Sequence, residues 1–127
     1  MRILVVDDDP SIRRLLSVQL GLAGHEVHIA EDGASAMVEI GRQRPDLMVL
    51  DVMMPVLDGW QVLETLRAKA PYADLPVVLL TAKSSQDDIE RSYALGASLV
   101  MGKPYDGERL LGMIETIRVQ AEVLASS

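Results

Sequence analysis

The chain contains no cysteine and no phenylalanine, and only 3% of its 127 residues are aromatic. Without cysteine there is no disulfide framework, no thiolate nucleophile and no cysteine-held metal. No stretch approaches the roughly 20 consecutive apolar residues that a membrane-spanning helix needs. Met1-Arg2 leads straight into a short apolar run backed by acids, which is not the pattern of a secretory signal. Positive charge is scarce too: 12 Lys and Arg face 19 Asp and Glu, for a net charge of −7. That balance argues against a direct grip on nucleic-acid phosphates, which runs on Lys and Arg, and it also favours solubility. These absences lead us to expect one cytoplasmic domain over residues 1–127, with no membrane segment.

What is present is aliphatic. Hydrophobic residues make up 49% of the chain and include seven methionines, enough for a sizeable and adaptable core. The chain is organised around residues 47–59, LMVLDVMMPVLDG. An apolar run carries a single acid, Asp51, at its exit, and Pro55 and Asp58-Gly59 then break the chain. Such a run reads as a strand buried on both faces, and a carboxylate at its end is costly unless something positive meets it.

Further elements follow from pattern. Residues 3–6 form a β-branched buried strand that stops at Asp7-Asp8-Asp9. Asp9 and Pro10 open a helix with a stripe of Ile12, Leu15, Leu16, Leu20 and Ala23, ended by Gly24. Residues 26–30 alternate as an edge strand does, with Val27 and Ile29 on one side and Glu26 and His28 on the other. A second helix starts at Asp32-Gly33, with Ala36, Met37 and Ile40 inward, and closes at Gly41. A third spans 60–69, with Asp58 as cap, Val62, Leu63 and Leu66 inward, and Trp60 on its flank. Residues 77–80 form a strand ending at Thr81, 85–95 a more polar helix, and 99–101 a last strand before Gly102-Lys103-Pro104. The final helix covers 107–124 on a stripe of Leu110, Ile114, Ile117, Ala121 and Leu124. Leu111, Met113 and Val123 lie off that stripe and are candidates for a partner or homodimer face. His25 and His28 lack metal-ligand spacing and read as solvent-exposed.

Five strands alternating with five helices imply an α/β fold, a parallel sheet covered on both faces. In such a sheet the strand ends lie along one edge, where open α/β folds bind ligands. Asp7, Asp8, Asp51, Thr81 and Lys103 therefore converge from distant parts of the chain. Two like charges about 4 Å apart repel by roughly 4 kcal/mol at an effective dielectric near 20. Lys103 can offset one carboxylate, and a hard divalent cation such as Mg²⁺ suits the rest. An ammonium and a hydroxyl beside them match a phosphoryl group, so the chemistry points to phosphoryl transfer onto a carboxylate. Acids at strand ends are also commonly helix caps, and Asp9, Asp32 and Asp58 read as caps.

These residues resemble the receiver domain of two-component response regulators over nearly the whole chain. The resemblance rests on Val6-Asp7-Asp8, on Asp51 with Met54-Pro55 and Asp58-Gly59, and on Thr81-Ala82, Gly96-Ala97 and Lys103-Pro104. It implies a doubly wound, flavodoxin-like sheet in the order 2-1-3-4-5. It implies that Asp51 is the phosphoacceptor, served by a histidine kinase or a histidine phosphotransfer protein. Asp8 and Asp51 would ligate Mg²⁺ directly, Asp7 through water, and the backbone carbonyl of Met53 would complete the set. Lys103 would pair with the phosphoryl oxygens, Thr81 would move to hydrogen-bond them, and Lys103-Pro104 is a candidate cis bond. The helix 4, strand 5 and helix 5 face would then carry the signal to a downstream protein target.

One position departs from the commonest pattern. Val100 stands where many receivers carry an aromatic switch residue, and it cannot swing a ring. Met53 and Lys83 should flank the path of hydrolytic water, and bulky Met53 suggests an impeded path. Other readings are a Mg²⁺-dependent phosphatase and a pseudo-receiver that only binds partners. Against the first, Met53 occupies the place where such phosphatases carry a second carboxylate. The acid pocket with Thr81 and Lys103 argues against the second. The expectation is a signalling receiver, not a turnover enzyme.

Overall fold

The computed structural model describes residues 1–82 and 85–126. Its elements are β1 (Arg2–Val6), α1 (Pro10–Leu22), β2 (Glu26–Ala30), α2 (Gly33–Arg42), β3 (Leu47–Asp51), α3 (Gly59–Arg67), a 3₁₀ turn (Ala70–Tyr72), β4 (Val77–Thr81), α4 (Gln86–Ala94), β5 (Leu99–Gly102) and α5 (Gly107–Ser126). All strand pairs are parallel, in the order β2-β1-β3-β4-β5. The expected α/β architecture and strand order are those observed. Among the described residues no helix is long and apolar enough to cross a membrane.

Strand period divides the core in two. Leu4, Val6, Met48, Leu50, Val77 and Leu79 face one side with Ala36 and Ile40 of α2 and Val62, Leu63 and Leu66 of α3. Ile3, Val5, Leu47, Val49, Val78, Leu80 and Met101 face the other, with Leu16 and Leu20 of α1 and Leu110, Ile114 and Ile117 of α5. Consecutive strand residues point to opposite faces, so a strand buried on both faces reads as an unbroken apolar run. β3 and β4 are buried at every position.

The helix starts are built by side chains. Asp9 accepts from Ser11 N, Asp32 from Ser35 N, and Asp58 forms a capping box with Gln61. Each satisfies an amide that the helix itself leaves unpaired. The three acids read as caps therefore are caps.

Several side chains sit differently from their pattern. Leu15 and Ala23 of the α1 stripe are exposed, because the helix meets the sheet through a narrower line, Leu16 and Leu20, four residues apart. Ile29 shares its face with half-buried Val27 yet is exposed at the outer strand. In α5 the last buried residue is Ile117, and Ala121 and Leu124 are exposed as the helix runs on past the core. Leu111 and Met113 pack partly against the core, and Val123 is exposed. His25 and His28 are half-buried and engaged: His25 Nδ1 lies 3.3 Å from the Met1 amine, and His28 Nε2 lies 3.1 Å from Glu26 Oε2. Trp60 is buried rather than on a flank.

The junction between β3 and α3 sets the position of everything at the sheet edge. Gly59 N donates to Val52 O at 2.9 Å, and a Cβ at residue 59 would fall 2.8 Å from Val52 Cα and closer still to the Asp51 carbonyl oxygen. Only glycine lets the two backbones meet so closely. Gly59→Ala is expected to destabilise the fold by about 1–3 kcal/mol, as overpacking does. Urea denaturation checks this, and unchanged stability would show that the junction yields without cost.

Candidate functional site

β1, β3, β4 and β5 run parallel, so their C-terminal ends share one edge. Asp51 closes β3 and is 2% exposed, Asp7 follows β1 at 1%, and Thr81 closes β4 at 1%. Asp8 is exposed beside them. Lys103 follows β5, tied down by its backbone N donating to Thr81 O at 2.8 Å. Its peptide bond to Pro104 is cis.

The Lys103 ammonium reaches both buried acids, 3.1 Å from Asp51 Oδ1 and 3.3 Å from Asp7 Oδ2. Backbone amides complete the carboxylates: Asp9 N donates to Asp7 Oδ1 at 2.9 Å, and Met53 N to Asp51 Oδ1 at 3.2 Å. Arg13 Nη1 donates to the Asp7 carbonyl at 2.8 Å, fixing that turn from α1. Carboxylate oxygens of Asp7, Asp8 and Asp51 lie within 4.8 Å of one another.

The electrostatics follow from this geometry. Burial pushes the Asp51 carboxyl up to about 6, with the Asp7 charge acting in the same direction, while Lys103 and the Met53 amide pull it down. Burial alone would lower the Lys103 ammonium, but the two carboxylates outweigh it and its pKa lies above the ordinary lysine value. Among the described residues, Lys103 alone forms ion pairs with these acids. One cation against three carboxylates leaves excess negative charge. The donor set is all oxygen, closely spaced, and suits a hard divalent cation.

Four of the residues singled out from sequence, Asp7, Asp8, Asp51 and Lys103, thus form one cluster. Thr81 stands on the adjacent strand end, and Met53 sits at the rim, half exposed, with its amide on Asp51. Lys83 lies outside the described residues. Arg13 shapes the site without having been singled out for it, while Gly59 was read with Asp58 as the break after the Asp51 strand. Arg13 looks like any polar residue of α1.

The response regulator receiver domain family matches residues 3–115 of this chain. The chain belongs to that family. As a receiver it is 42% identical over 117 residues to the response regulator MprA of Mycobacterium leprae, spanning 92% of this chain and 50% of that protein. It is 38% identical to the DNA-binding dual master transcriptional regulator RpaA of Synechocystis, across 91% of this chain and 48% of that one. The chain spans about half the length of these relatives. Among solved structures, the chemotaxis protein CheY4 of Vibrio cholerae superposes with a TM-score of 0.86 at 34% identity, covering 91% of this receiver and 97% of that chain. The receiver domain of the Francisella response regulator 1452 gives 0.89 at 28% identity, covering 94% and 98%. Receivers work in phosphorylation-based two-component signalling, and that is the class of this domain.

The raised Asp51 carboxyl has a consequence for stability. Folded Asp51 keeps its proton up to about pH 6, while an unfolded aspartate releases it near about 3.9. Between those values the folded state binds more protons, so stability falls as pH rises through the window and stays reduced above it. Asparagine cannot ionise. In buffer free of divalent cations, Asp51→Asn is expected to exceed the parent in stability at pH 7.5 by about 1–3 kcal/mol, with the gap closing near pH 4. Denaturant curves at both pH values test this, and a constant gap would contradict it.

Proposed function

We propose that this receiver is a switch in which Asp51 accepts a phosphoryl group from the phosphohistidine of a histidine kinase or a histidine phosphotransfer protein. The observation that carries this reading is the placement of Asp51, buried at a strand end, 3.1 Å from the Lys103 ammonium and grouped with Asp7 and Asp8. An Asp51 oxygen attacks phosphorus, a new P–O bond forms, the P–N bond of the donor breaks, and the imidazole leaves with its electron pair. Lys103 holds charge on the transferring oxygens and orients Asp51. Asp7, Asp8, Asp51 and the Met53 carbonyl would hold Mg²⁺, which when bound neutralises the excess negative charge and the charge of the incoming group. Thr81, buried at the neighbouring strand end, supplies a hydroxyl for the phosphoryl oxygens. The change is read on the face formed by α4, β5 and α5.

The output partner of these residues is a protein surface, in keeping with the net charge of −7. DNA binding of the kind named for the Synechocystis relative would belong outside this receiver. The domain promotes only its own phosphorylation and dephosphorylation. The phosphatase reading lacks support because the position two residues after Asp51 is Met53, which offers no acid-base group.

Incubation with acetyl phosphate and Mg²⁺ is expected to add one phosphoryl group to the parent and none to Asp51→Asn, as read by intact-mass spectrometry. Mg²⁺ alone should raise the parent's melting temperature, on the order of 5 °C at saturation, because the ion binds only the folded cluster. Equal labelling of both proteins would overturn the assignment of Asp51. Once labelled, Met53→Asn is expected to lose its phosphoryl group several-fold faster than the parent. A half-life unchanged by that substitution would remove Met53 from the water path.

A further inference from the structure

α4 is held unlike the other helices. Of its nine residues only Ser92 is buried, and Ser92 is polar. Its hydroxyl accepts from Trp60 Nε1 at 2.9 Å and donates to Asp88 O at 2.9 Å. The Arg91 guanidinium lies over the Trp60 ring, 4.1 Å from its centroid, a stabilising cation–π geometry. The next residue, Tyr93, places its hydroxyl 3.3 Å from Val100 N, which donates to it across the edge of β5. Three successive residues of α4 therefore tie it to α3 on one side and to β5 on the other. Ile89 and Leu95 add only partial burial.

Trp60 also sits at a particular place in the chain. It follows Gly59, whose amide donates to Val52 O and which leaves no room for a Cβ beside the Asp51 carbonyl. Hydrogen bonds and covalent neighbours link Val52, the residue after Asp51, to Gly59 and Trp60, then Trp60 to Ser92, and Tyr93 to Val100. This route bypasses Thr81 and ends on the residue that replaces the usual aromatic.

We propose that Trp60, Ser92 and Tyr93 form a polar latch that holds α4 in its resting position and couples that position to Asp51 through the β3–α3 junction. The coupling rests on the reading of Asp51 as phosphoacceptor. Helices anchored by few apolar contacts open locally at low cost, and a latch made of single hydrogen bonds gives way without disturbing the core. Coupling between sites is reciprocal. If occupancy of Asp51 releases the latch, a latch already weakened raises the affinity of Asp51 for its ligand. Trp60, Ser92 and Tyr93 are positioning residues, since none touches the phosphoryl group.

The test uses the chain as it stands, with beryllium fluoride and Mg²⁺ as the phosphoryl mimic. Trp60→Phe removes the donor and keeps an aromatic ring, and Ser92→Ala removes the acceptor and keeps the tryptophan. In both, hydrogen exchange of the α4 amides is expected to quicken about two- to tenfold, the worth of one hydrogen bond, with α1 and α5 unchanged. Calorimetry should show the mimic bound more tightly by a similar factor, an effect that mere loss of packing would not produce. Tyr93→Phe should quicken exchange at Val100. Unchanged α4 exchange in both variants overturns the latch. Faster exchange without a gain in affinity overturns its coupling to Asp51. A parent that does not bind the mimic overturns the phosphoacceptor reading instead, which is a separate result from a parent that binds and variants that bind alike.

Discussion

One imbalance governs the molecule: two buried carboxylates, Asp7 and Asp51, share a single ammonium, that of Lys103, while Asp8 adds a further negative charge at the rim. Burial, reinforced by the Asp7 charge, holds the Asp51 carboxyl up to about 6, and the shortfall of positive charge makes the sheet edge receptive to a cation. Lys103 therefore has two consequences. It makes the acid cluster tolerable in the folded state, and under the proposed function it is the group that would hold negative oxygens against Asp51.

The rest of the fold keeps that imbalance in place. β3 is buried on both faces and brings Asp51 to the edge as its last residue. β1 and β4 flank β3 in register, so the acids after Val6 and the hydroxyl of Thr81 fall beside Asp51. Two apolar layers, one on each side of the sheet, fix these strands. Packing of this kind is close to crystalline density and transmits strain instead of absorbing it. Small changes at the edge are thus better accommodated at the periphery, in elements with little apolar burial. Among the described helices α4 is the one that matches.

What could be read from sequence follows the same division. β1, β3 and β4 were legible because burial on both faces leaves an apolar run with no periodic break, and a polar residue at its end then stands out. Asp7, Asp8, Asp51 and Lys103 were legible as a cluster, with Thr81 on the adjacent strand end, because a parallel sheet makes strand ends coincide. Surface geometry was not legible in this way. The stripes of α1 and α5 include Leu15, Ala23, Ala121 and Leu124, which are exposed, because helical periodicity states which residues share a face and not how far the sheet extends beneath them. The burial of Trp60 was hidden for a related reason. A tryptophan in the first turn of a helix has no pattern that tells flank from core, and its partner, Ser92, lies 32 residues away.

At Val100 the edge strand β5 meets α4. A valine at that position has no ring to rotate, so under the proposed switch a signal at β5 would need a different carrier. Its backbone amide is the group with a specific tertiary partner, the Tyr93 hydroxyl, and Tyr93 belongs to the helix that Trp60 holds by Ser92. A switch that moves a helix by breaking side-chain-to-backbone hydrogen bonds differs in kind from one that repacks an aromatic ring. Its energy is that of single hydrogen bonds, roughly 0.5–1.5 kcal/mol each, so the two positions of α4 would differ by little and both would be populated at rest. A receiver built this way would respond to Asp51 occupancy by a graded shift in population, set by how many of the ties on α4 persist.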